Sequence, residues 1–138
     1  MIVAEGALSD RPLPRTFAAI AARGFGGEMI VRPTAGRPFH IAWHDGAVVG
    51  ATSPHPADSA AKVAVTLGIL NSTQAGEVGR VIAANPGCDE VEVVAQVARL
   101  SSEIVSRLGR RLAATRAARV FSVEHGTFTL DSAPPLWG

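Results

Sequence analysis

Tyrosine is absent from this chain, and cysteine occurs once, at Cys88. A lone cysteine excludes an internal disulfide and makes the reducing cytoplasm the expected compartment. Lysine is nearly absent too: twelve of the thirteen basic residues are Arg, the exception being Lys62. With a formal net charge of +1, total charge exerts no general pull on polyanions. No run approaches the ~18 uninterrupted apolar residues of a membrane span. The run from 60 to 70 is short and is broken by Lys62 and Gly68, so no membrane insertion is expected. The first residues lack a basic stretch leading into an apolar run, so no signal peptide is expected. No repeat of about 20–50 residues is visible.

What is present suits one ordinary globular domain: 138 residues, 47% of them apolar. Residues 1–11 read as an opening strand or loop. Pro12 suits a first helical turn, and Leu13, Phe17, Ile20 and Ala21 recur at helical spacing to about Ala22, where Gly24, Gly26 and Gly27 end the helix. Met29–Val31 predicts a short strand. Phe39, Ile41 and Trp43 then alternate with His40, Ala42 and His44, the period-two pattern of a half-buried strand. Asp45-Gly46 is a tight-turn signal, and residues 47–52 make the return strand of a three-stranded antiparallel meander.

Helices follow. The first is expected from Asp58, as N-cap, to Leu67, with Gly68 as its stop. Asn71-Ser72-Thr73-Gln74 fits a capping box, and Val78, Val81 and Ile82 share one face beyond it. Asp89-Glu90-Val91-Glu92 repeats the capping pattern before Val91, Val94 and Ala98. Ser101 opens the last helix, where Ile104, Val105, Leu108 and Leu112 trace a stripe toward Ala117. The run Thr127–Leu130 predicts a further strand that joins the sheet. The fold class expected is α+β: a three- to four-stranded mainly antiparallel sheet with an N-terminal helix and a C-terminal helical bundle. Residues 1–131 are read as a single domain and 132–138 as a tail or the start of a linker.

The order of these motifs supports one family resemblance. Gly6-x-Leu8 and Leu13-Pro14 are followed by Gly27, Ile41-Ala42-Trp43-x-Asp45-Gly46 and Val48-Val49-x-Ala51-x-Ser53. Leu67-Gly68-Ile69-Leu70-Asn71-x-x-Gln74 and Phe121-x-x-x-x-Gly126-x-Phe128 complete the pattern. Over roughly residues 5–131 the chain resembles the PATAN (PatA N-terminal) domain and its bacterial relatives of unknown function. The resemblance implies a non-enzymatic module of bacterial signalling proteins, a scaffold for protein–protein interaction that regulates motility or a similar cytoplasmic machinery. It implies no cofactor.

The residues themselves offer little chemistry. His40 and His44 lie four apart on one strand, so their Cα atoms are about 13 Å apart, too far to share a metal. They are read as the polar face of the hairpin and the first choice of interaction surface. Cys88 stands near a helix N-terminus, where a dipole lowers a thiol pKa, but Asp89 and Glu90 oppose that shift; it is read as a structural thiol. Ser53, His55 and Asp58 have the residue types of a hydrolytic triad, yet triads are assembled by geometry across a fold and local clustering is no sign of one. Gly24-x-Gly26-Gly27 precedes a strand and lacks the Lys-Ser/Thr of a phosphate loop.

From Arg99 to Arg119 six Arg face a single acid, Glu103. Arg107, Arg110 and Arg111 form the polar side of the last helix, the second choice of interaction surface. Such a face is commonly just solvated, its aliphatic stems covering the core edge; the partner weighed beside that reading is an acidic protein or an acidic helix of the chain itself (Glu77, Asp89, Glu90, Glu92). A nucleic-acid-binding regulator using this helix, around 107–119, is the alternative, disfavoured because no aromatic residues interleave the arginines for base stacking. Trp137, in a Pro-rich end, is a further candidate anchor for a partner. Protein partners are expected, with self-association as one form of docking.

Overall fold

The computed structural model describes residues 1–135. They fall into two compact units. One comprises residues 1–54 with the C-terminal segment from 113 onward, and the other residues 55–112.

The first unit is built on a five-stranded sheet: β1 (Ile2–Ala7), β2 (Gly27–Pro33), β3 (Phe39–His44), β4 (Ala47–Thr52) and β5 (Gly126–Asp131). The order across the sheet is β1-β5-β2-β3-β4 and every pairing is antiparallel. This corrects the three- to four-stranded expectation, while the α+β class stands. The last strand in sequence sits between the first two, which makes β1 a full member of the sheet.

One face is apolar. The registers align Ala4 with Leu130, Leu130 with Met29 and Met29 with Ile41; Phe128 pairs with Val31, and Val31 with Phe39. Met29, Val31 and Ile41 are fully buried there. Helix α1 (Leu13–Ala22) packs on this face through Leu13 and Ile20, and Pro12 and Pro14 preset its first turn. Phe17 meets Trp43 edge-on, with ring centroids 5.2 Å apart, a geometry worth about 0.5–1.5 kcal/mol beyond area burial. Trp43 is 6% exposed and its indole N–H has no hydrogen-bond partner among the described residues.

The hairpin forms as the sequence predicts. Asp45 and Gly46 both have positive φ, the mark of a two-residue type I′ turn. The Gly46 N–H also donates to the Phe25 carbonyl, and a Cβ at Gly46 would stand 2.4 Å from the Ala21 carbonyl oxygen. The turn tip is therefore seated on the end of α1 as well as being a turn.

The second unit holds α2 (Ala60–Thr66), α3 (Ser72–Ala84), α4 (Glu90–Ala98) and the first part of α5 (Ser102–Arg119). Its core gathers Ala60, Ala64, Val78, Val94 and Leu108, all fully buried. The capping box is complete: Asn71 Oδ1 accepts from the Gln74 N–H at 2.8 Å, and Gln74 Oε1 accepts from the Asn71 N–H at 3.0 Å. Replacing Asn71 with Ala should lower unfolding stability by about 1 kcal/mol, read as a shift of the urea midpoint with unchanged slope. Asp58 is not the cap of α2. That role falls to Ser59, whose Oγ accepts from the Lys62 N–H, while Asp58 closes a 3₁₀ turn (Pro56–Asp58) and is buried. In α4 the buried pair is Val93 and Val94, with Val91 and Ala98 half-buried beside them. Residues 120–122 form a second 3₁₀ turn.

Candidate functional site

The two expected interaction surfaces differ in character. His40 lies on the face of the sheet opposite the core, half-buried, its Nδ1 3.6 Å from Glu28 Oε2. Glu28 and His40 are diagonal neighbours across β2 and β3, within reach of each other by ordinary strand geometry. His44 shares that face but is exposed at the hairpin end, its Nε2 3.3 Å from Asp45 Oδ2. The structure therefore gives each histidine its own carboxylate and does not bring the two together. The rest of this face sets Ile30 and Arg32 among smaller residues, Thr127, Thr129, Thr52 and Gly50.

The arginines of α5 are likewise divided. Arg107, Arg110 and Arg111 are exposed in the helical unit, with Arg107 Nη2 3.4 Å from Glu103 Oε1. Arg116 and Arg119 belong to the sheet unit and are half-buried. Arg116 Nη1 donates to the Ala51 carbonyl of β4 at 3.4 Å. Trp137 lies outside the described residues. Cys88 is half-buried against the helical core. Among the described residues no three His, Cys, Asp or Glu side chains gather where they could hold a metal ion, and no helix is long and apolar enough to cross a membrane.

The best-formed site is one the candidate residues miss. In the sheet unit a groove of about 510 Å³ runs between α1 and the β1–β5 end of the apolar face. Ala4, Ile20, Phe25, Phe128 and Leu130 make its floor. Its wall carries Arg11, Arg15 and Arg23, with Asp10 the single acid. The groove exists because β1 presents small residues here. A Cβ at Gly6 would stand 3.1 Å from the Phe128 ring and 3.2 Å from Arg11 Cδ, so the bare backbone lets both lie across β1. α1 itself holds no acidic residue, so nothing on the helix neutralises its arginines. Val3, in the groove's lining, is 49% exposed. The sequence did hold a signal: Arg15 and Arg23 are eight residues apart, just over two helical turns, with Arg11 just ahead of the helix and Arg23 at its C-cap.

At the far end of β1, Asp131 accepts from the Met1 amine at 2.7 Å and from the Ala133 N–H at 2.9 Å. These bonds, the amine first, hold its carboxyl below the usual carboxylate range.

No family model, curated protein or solved structure matches the chain.

Proposed function

We propose that this chain is a non-enzymatic protein-interaction module that docks a partner through its sheet unit, a signalling or scaffold role of the kind the PATAN resemblance implies. The observation that carries the reading is the groove: an apolar floor, a wall of three arginines against one acid, and half-exposed Val3 in its lining. An apolar patch rimmed by charge is the usual form of a protein-binding surface. The resemblance would place such docking in the regulation of bacterial motility or a similar cytoplasmic machinery.

Affinity capture on the immobilised chain, with quantitative mass spectrometry and a solution mass, tests this reading. A partner retained in near-stoichiometric amount, or a defined homo-oligomer, is expected. A strictly monomeric chain that reproducibly retains nothing contradicts it.

The nucleic-acid alternative draws less support from the geometry. Glu103 occupies Arg107 and the Ala51 carbonyl takes Arg116, so Arg110 and Arg111 are what the helix offers a phosphate backbone. Arg110→Glu combined with Arg111→Glu should leave any oligonucleotide association and its salt slope unchanged. A salt slope reduced by about one to two would favour that alternative.

A further inference from the structure

The two edges of the sheet are finished differently. At β4 the Arg116 guanidinium covers the Ala51 carbonyl. At β1 the Leu8 N–H goes to the Gly126 carbonyl, and the antiparallel alternation from that bond turns the N–H groups of Glu5 and Ala7 away from β5. The Ala7 carbonyl accepts from the Asp10 and Arg11 N–H groups. β1 has neither the proline nor the lysine that commonly protects an edge, and Glu5 is its only charge.

A strand laid beside β1 would place alternate side chains over Ala4 and Gly6, on the groove side. These residues are too small to fill that space, and Phe128 and Leu130 offer an apolar floor behind them. Above the floor stands the arginine wall. Arg15 and Arg23 are eight residues apart, about 12 Å along a helix. On a strand, positions i and i+4 point the same way and lie about 13 Å apart. The match is between two carboxylates flanking one apolar side chain and two guanidinium groups flanking Ala19.

We propose that β1 and the groove take up an extended peptide segment of a partner as a sixth strand, with the pattern acidic-x-apolar-x-acidic facing the groove. This rests on the reading of the chain as a docking module and supplies its chemistry. Main-chain bonds to Glu5 and Ala7 give the segment its seat, the apolar residue covers Phe128 and Leu130, and the carboxylates meet Arg15 and Arg23. Charge-assisted bonds from guanidinium to carboxylate set the preference for acidic over basic segments.

The test uses the full chain and fluorescein-labelled peptides in an anisotropy titration. Three probes share one length: a Glu-Thr-Leu-Thr-Glu core, a Lys-Thr-Leu-Thr-Lys core, and the Glu core with proline at both Thr positions. Binding of the first is expected, with the other two at least tenfold weaker. Arg15→Glu with Arg23→Glu, exposed residues on α1 and at its C-cap, should reverse the preference toward the lysine probe while the melting curve stays in place. Hydrogen exchange at the Glu5 and Ala7 amides should slow on binding. No binding of the Glu probe, equal binding of the lysine or proline probe, or unprotected Glu5 and Ala7 amides overturns the proposal. A single-stranded oligonucleotide that displaces the Glu probe from the groove overturns it as well. The two levels separate in the affinity capture. A partner retained equally by the doubly substituted chain sinks the strand-addition site and leaves the docking module standing. Retention of nothing sinks the docking module.

Discussion

Gly126→Ala is expected to prevent the sheet unit from folding, or to destabilise it by about 4 kcal/mol or more, a loss in the exceptional range for one substitution. Gly126 opens β5 with φ near +151°, a backbone region that side chains rarely enter. A Cβ there would stand 2.2 Å from the Arg32 carbonyl oxygen and 2.9 Å from the Pro33 Cα. Both atoms are main chain of β2, so no rotamer change relieves the clash. β5 lies between β1 and β2, and displacing it breaks two ladders at once. Circular dichroism and urea unfolding of the purified variant read the result. A midpoint within error of the parent would mean that β5 does not approach β2 this closely. Gly36→Ala is the control: its positive φ costs something, but nothing lies within 4 Å of a Cβ there.

Phe128→Ala should cost about 3–5 kcal/mol, the range for truncating a buried aromatic ring. Phe128 is 1% exposed, pairs with Val31 on one side and Gly6 on the other, and also floors the groove. Because Gly6 has no side chain, nothing on β1 can move in to fill the void. Against a typical domain stability of about 5–15 kcal/mol, the loss is about a fifth of the total or more. Phe121→Ala provides the comparison. That ring is 46% exposed and meets Phe17 at a tilt of 56° with centroids 4.8 Å apart, so about 1 kcal/mol is expected. Equal losses for the two rings would contradict the burial that separates them.

The parts of the fold that are local were legible. Phe39, Ile41 and Trp43 are buried as their alternation predicts, Asp45-Gly46 turns the chain, and Asn71 and Gln74 cap each other. Each depends on residues within a few positions of one another. β1 was ambiguous because its apolar pair, Ile2 and Val3, is exposed, while the residues it turns inward, Ala4 and Gly6, carry no hydrophobic contrast. The insertion of β5 between β1 and β2 rests on pairings across 93 to 129 positions, and no local pattern encodes it. In α4 four of nine residues are Val, so helical periodicity could not choose Val93 over Val91. Asp58 and Ser59 are both good N-caps. Ser59 has the extended backbone and turns its hydroxyl to the Lys62 N–H at the point where α2 begins, and the two prolines ahead of it shift Asp58 into the 3₁₀ turn.

The site was less legible than the fold. Along the sequence the dense Arg99–Arg119 segment outweighs the three arginines of the groove, spread over Arg11–Arg23. Density along a sequence is a poor guide to density in space: the α5 arginines divide between the two units, whereas the N-terminal three converge on one wall. His40 and His44 share a face, but their separate carboxylates make each a local pair.

Site-specific photocrosslinking inside cells tests the docking claim most directly. A photoreactive amino acid at Ala19, on the groove wall, is compared with one at Thr127, on the opposite face of the sheet. The account predicts a discrete protein adduct from position 19, diminished by Arg15→Glu with Arg23→Glu, and none from position 127. Adducts from position 127 alone, or from neither position, would contradict it.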